Sequence, residues 1–142
     1  MEEDLRKLAL ECITSESNPL WPDGFLPLCA KHGLTKDEFC HAFARVVALE
    51  FAHGELSYAE GDAAMNCLFG IVDIDLRGFA WEIYHAFDAG EYQHGQDPPG
   101  TISWQKYTLP RVMEVLAAEG LLLRAYNSFK PKPLGGSTKF RR

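Results

Sequence analysis

Two segments of this chain open with the same signal. Thr35 is followed three residues later by Glu38, and Ser57 is followed three residues later by Glu60. A hydroxyl that accepts from the N3 amide, paired with a glutamate that reaches back to the cap amide, is a reciprocal device for starting an α-helix. Behind each signal, apolar residues recur at helical rather than strand spacing. Phe39, Phe43, Val46, Val47 and Phe51 follow the first, with Gly54 as the stop. Tyr58, Met65, Leu68, Phe69 and Val72 follow the second and are expected to be its buried face. The same period places Leu5, Leu8, Ala9 and Cys12 on one stripe within residues 2–14. Leu76, Phe79, Ala80, Ile83 and Phe87 fall at i, i+3, i+4, i+7 and i+11 before Gly90. Asp73 or Asp75 reads as the N-cap of that helix.

Two further helices complete the pattern. A short one is expected from Phe25 to Lys31, ended by Gly33. A longer one opens at Thr108-Leu109-Pro110, because Pro is tolerated where the amides have no intrahelical partner. Its stripe is Leu109, Val112, Met113 and Leu116, and Gly120 closes it. SESNPLWPDG at 15–24 and EYQHGQDPPG at 91–100 are turn and loop chemistry. No alternation of strand period lasts more than a few residues. The sequence therefore predicts an all-α fold: a single compact domain of five to six helices over residues 1–127, mostly antiparallel because the connections are short. Residues 128–142 form a basic, irregular tail, since Pro131, Pro133 and Gly135-Gly136 exclude regular structure. At 142 residues, 46% of them apolar, the chain can fill one core.

The charge is divided unevenly. All twenty acids lie between Glu2 and Glu119, with only eight of the fourteen bases, which leaves residues 1–120 at a net −12. Arg124, Lys130, Lys132, Lys139, Arg141 and Arg142 give the remainder +6. An acidic body suits a protein partner with a basic surface. The tail could touch nucleic acid or an anionic membrane, but the body beside it would compete for the same charges, so direct nucleic-acid binding is not expected. No apolar run reaches 18 residues, which argues against a membrane span. MEEDLRKLAL begins with acids and does not read as a secretory signal, so a cytoplasmic location is expected. Cys12, Cys29, Cys40 and Cys67 make no CxxC pair and read as buried free thiols in a reducing compartment, with a disulfide or zinc site as the alternative.

No phosphate-binding, dinucleotide-binding or serine-hydrolase motif is present, and no HExxH or calcium-loop pattern. No catalytic residue, cofactor or metal is assigned from sequence. His85 and Asp88, at i, i+3, are the best-placed pair for a metal edge or a small hydrolytic site. The simpler reading of His85 is a surface histidine near a helix C-terminus, where the dipole favours its charged form.

The helix from Leu76 to Phe87 carries more information. One stripe is accounted for as core. A second face holds Arg77, Trp81, Tyr84, His85 and Asp88, and the following loop adds Glu91, Tyr92, His94 and Asp97. Trp and Tyr provide large contact area with a polar handle, and interfaces use them for that reason. Trp81, Tyr84, His85, Asp88, Glu91, Tyr92 and Asp97 are thus the candidate partner-binding residues. The competing reading is a helix buried on both faces, with Trp81 and Tyr84 packed in the interior.

FAWEIYHAFDAGEY at 79–92, together with KYTLP at 106–110, resembles small all-α immunity partners of bacterial polymorphic toxins. The resemblance implies a stoichiometric inhibitor that covers a toxin's active site, and it carries over no catalytic residue. The primary expectation is therefore a protein–protein interaction module of the immunity type. A small metal-dependent or hydrolytic enzyme using His85, Asp88 and nearby acids is the second. A regulatory homo-oligomer, with the basic tail of one subunit on the acidic body of another, is the third.

Overall fold

The computed structural model describes residues 1–71 and 73–121. Helix occupies 69% of them and no strand is present among them, so the fold is all-α. Six α-helices follow one another: α1 (Glu2–Thr14), α2 (Phe25–His32), α3 (Lys36–Ala52), α4 (Tyr58–Phe69), α5 (Gly78–Ala89) and α6 (Leu109–Ala118). Val72, Leu122, Leu123 and the basic tail lie outside the described residues. The chain clusters into two units, one of residues 1–85 and one beginning at residue 86.

The first unit is built on the two capping boxes. Thr35 Oγ1 accepts from the Glu38 amide at 3.1 Å while Glu38 Oε1 accepts from the Thr35 amide at 2.9 Å. Ser57 and Glu60 repeat this at 3.1 and 2.8 Å. Four orphan donors are thereby satisfied at two helix starts. Gly33 ends α2 with φ +64°, a left-handed backbone in which a side chain would be strained. The helices pack through the expected stripes. Leu5, Leu8, Ala9 and Cys12 of α1 face α3 and α4, which also meet each other. Phe39 and Phe43 of α3 are fully buried and stack at 5.8 Å, and Phe25 of α2 meets Phe39 edge-on at 4.9 Å.

In this unit the structure departs from expectation in three places. Phe69 is 48% exposed, where the stripe predicted burial. It is the last residue of α4; the chain turns at Gly70, and Ile71 takes the buried position instead. Tyr58 is only half-buried, in ring contact with Phe51 at 6.5 Å. Neither Asp73 nor Asp75 caps α5, which begins at Gly78. Asp75 instead accepts from Arg77 Nε at 3.1 Å and from its guanidinium NH2 at 2.8 Å.

The second unit holds the end of α5, the loop after it and α6. Two polar side chains of this unit are buried among the described residues: Thr108 donates to the Ala86 carbonyl at 2.7 Å, whereas the Ser103 hydroxyl has no hydrogen-bond partner. Gly90 stands where a Cβ would come within 2.9 Å of the Trp104 Cα, so the chain can pass only as glycine. A single wide turn, Trp104–Thr108, leads into α6, which buries Val112, Val115 and Leu116, with Leu109 and Met113 half-buried.

Candidate functional site

The candidate residues divide between the units, and the structure treats them differently. Trp81, Tyr84 and His85 belong to the first. Trp81 is 42% exposed, so it is not a core residue. Tyr84 is half-buried and His85 exposed. Their rings form a continuous ladder with Phe69 from α4. Phe69 stacks on Tyr84 at 4.6 Å with 12° between the planes. Tyr84 meets Trp81 at 5.9 Å, and Trp81 meets His85 at 5.6 Å and 30°. Trp81, Tyr84 and His85 come together because they stand at i, i+3 and i+4 of one helix, where side chains are neighbours. Phe69 joins them because α4 ends beside that face. Helical periodicity had assigned Phe69 to the core. The signal that could have corrected this is Gly70, which ends the helix before the stripe can continue.

The electrostatic setting of this ladder is acidic. Residues 1–85 carry fifteen acids and six bases. Four of those bases are engaged in ion pairs: Arg6 with Glu50, Lys31 with Asp4 at 2.9 Å, Arg45 with Glu2 at 3.6 Å and Arg77 with Asp75 at 2.8 Å. A fifth, Lys36, donates to the Asp73 carbonyl at 3.4 Å. The surplus acids set the sign of the field.

Asp88, Glu91, Tyr92 and Asp97 belong to the second unit. Asp88 is half-buried, and Glu91 and Tyr92 are exposed. Asp97, also a candidate contact residue, is the most enclosed of the four. Its side chain is only 4% exposed and accepts from Lys106 Nζ at 2.5 Å and from the Tyr107 hydroxyl at 2.7 Å. Those two donors hold its carboxyl below the usual carboxylate value, and the same contacts push the Lys106 and Tyr107 values up. Tyr107 also packs on His94 at 4.0 Å, and His94 on Tyr92 at 4.7 Å. His94 Nε2 donates to the Ala89 carbonyl at 2.8 Å, which fixes its proton on that nitrogen. Asp97 thus ties the 91–107 loop together through Lys106 and Tyr107. Lys106 and Tyr107, which lie nine and ten residues downstream, were not legible as its partners from sequence spacing.

Among the described residues, no three His, Cys, Asp or Glu side chains are grouped closely enough to hold a metal ion. No helix among them is long and apolar enough to cross a membrane. The four cysteines are free thiols in four different helices; Cys12 and Cys40 are buried, whereas Cys29 and Cys67 are partly exposed. No family model matches the chain, and neither a curated protein nor a solved structure matches it.

Proposed function

We propose that this chain is a protein-binding module and, more specifically, an immunity-type inhibitor that binds and blocks a bacterial toxin with a basic surface. The aromatic ladder Phe69–Tyr84–Trp81–His85 is its contact face. The observation that carries this reading is the exposure of an unbroken stack of four rings on a unit with a large excess of acids. Exposed single apolar residues are ordinary, but contiguous large rings on a surface mark contact sites. Trp and Tyr supply the desolvated anchors that slow release, while the acidic field speeds encounter with a basic partner.

The test is pairwise. The chain is mixed with the purified product of any toxin-like gene found to adjoin its own, and the complex is followed by gel filtration and titration calorimetry. A stoichiometric complex is expected, formed more slowly as salt rises, that protects the toxin's target. Trp81→Ala should weaken it by about 2 kcal/mol or more. Absence of a complex at low salt, or full affinity in Trp81→Ala, contradicts the reading.

A further inference from the structure

The four rings of the ladder lie in similar planes. Phe69 and Tyr84 differ by 12°, Tyr84 and Trp81 by 33°, and Trp81 and His85 by 30°. Rings so aligned make a wall of successive steps. A cage for a rounded ammonium needs ring faces turned toward it from several sides. Within the wall Trp81 is slipped from its neighbours. Its centroid stands 5.9 Å from that of Tyr84 and 5.6 Å from that of His85, against about 3.5–4 Å between carbon atoms in contact. Trp81 and Phe69 keep 42% and 48% of their surface in solvent. A flat group can lie on this wall as one more step.

The charges around the wall favour a cation. Residues 1–85 carry fifteen acids against six bases. Arg77 stands one turn before Trp81, whose amide donates to the Arg77 carbonyl. Asp75 accepts from the Arg77 guanidinium at 3.1 and 2.8 Å, so that positive charge is offset. On α4, Asp62 and Asn66 precede Phe69 by seven and three residues, which puts them on the same face of the helix. Asn66 Nδ2 donates to Asp62 Oδ2 at 3.5 Å. At 1.5 Å of rise per residue, Asp62 stands about 10 Å along the axis from Phe69.

Building on the contact face proposed above, we infer that the ladder selects arginine over lysine: a guanidinium of the partner protein lies flat on Trp81 as a further step of the wall. The guanidinium is planar, delocalised and weakly hydrated, so it stacks on an aromatic face at small desolvation cost. Trp is the ring that attracts a cation most strongly. The lysine ammonium is a compact, strongly hydrated point charge, and a wall without facing rings offers it little beyond the acidic field it shares with arginine. The field draws either cation, and the wall distinguishes them.

The full chain, titrated at low salt with two peptides of one glycine–serine frame, tests the inference. Both have uncharged ends; one carries arginines and the other carries lysines at the same places. Calorimetry gives the affinities, and the indole N–H resonances report the site. The arginine peptide should bind about threefold to tenfold more tightly, as a partly exposed cation–π contact allows, and it should shift the Trp81 indole N–H. Trp81→Ala should bring the two peptides to equal affinity. The indole shift in the unaltered chain decides the matter even if that variant unfolds. Equal affinities in the unaltered chain, shifts confined to the Trp21 or Trp104 indoles, or no binding of either peptide would each overturn the inference. A toxin complex that forms while the two peptides bind alike overturns arginine selection and leaves the proposed function standing. Arginine selection at Trp81 without a toxin complex does the reverse.

Discussion

The first unit contains two aromatic clusters with similar ring spacings and opposite surroundings. Phe25, Phe39 and Phe43 meet at 4.9 and 5.8 Å, each at most 4% exposed. Phe69, Tyr84, Trp81 and His85 meet at 4.6 to 5.9 Å, with Phe69 and Trp81 more than two-fifths exposed. Both stacks join one helix to another, and both use i, i+4 neighbours on a helix: Phe39 with Phe43, and Trp81 with His85. The inner stack removes apolar area from water and sustains the fold. The outer stack leaves much of its area in water, so the fold gains far less from those rings. Ring pairing is therefore not what separates the inner stack from the outer one; burial is.

The difference can be broken or sharpened by substitution. The largest effect should come from Phe43→Ala, which empties a fully buried site in the inner stack. It should cost about 3–5 kcal/mol in urea unfolding, because the transfer loss and the cavity add. A loss under 1 kcal/mol would mean that the inner stack is as dispensable as the outer one. Phe69→Ala should cost little stability yet weaken partner binding by about 1–2 kcal/mol, since a ring beside an anchor contributes less than the anchor. If it unfolds the protein instead, the outer stack is structural.

Two smaller effects act outside the rings and calibrate the scale. Thr35→Ala removes the hydroxyl half of a capping box and should cost about 1 kcal/mol, whereas Thr35→Ser keeps a capping hydroxyl and should retain most of that stability. The smallest effect concerns acid. His32 and then Lys31 hydrogen-bond to Asp4 and lower its carboxyl from 3.8 to about 2. A value depressed in the folded chain stabilises the fold above the ordinary carboxylate range, and that stabilisation is lost as pH falls from 3.8 toward about 2. Melting temperature should decline over that window in the unaltered chain and less steeply in Asp4→Asn. Asp4 lies at the surface, so added salt should shrink the difference.

Most of the fold was legible because the helices announce themselves locally. The Thr35–Glu38 and Ser57–Glu60 boxes, the stripe of α1 and the glycine after α2 depend on neighbours three or four residues away, and sequence spacing reports those directly. The candidate site was legible only in part. Trp81, Tyr84 and His85 share a helix face, but whether that face is covered depends on distant chain, so a buried and an exposed reading were both open. Phe69 was assigned to the core because its period continues the stripe, while the end of α4 is decided one residue later. The enclosure of Asp97 was not legible, because the Tyr107 hydroxyl that donates to it lies across a loop, which no periodicity encodes. The cap assigned to Asp73 or Asp75 failed for a related reason, since Arg77 offers Asp75 a better partner than the helix start does.

The proposal that the outer stack serves contact rather than stability is tested most directly on Trp81→Ala, with urea unfolding and affinity for the proposed toxin partner measured on the same preparation. The account predicts a stability change below about 1 kcal/mol, as for a surface position, together with an affinity loss of about thirtyfold or more. A stability loss of about 3–5 kcal/mol, the signature of an emptied core site, would contradict it.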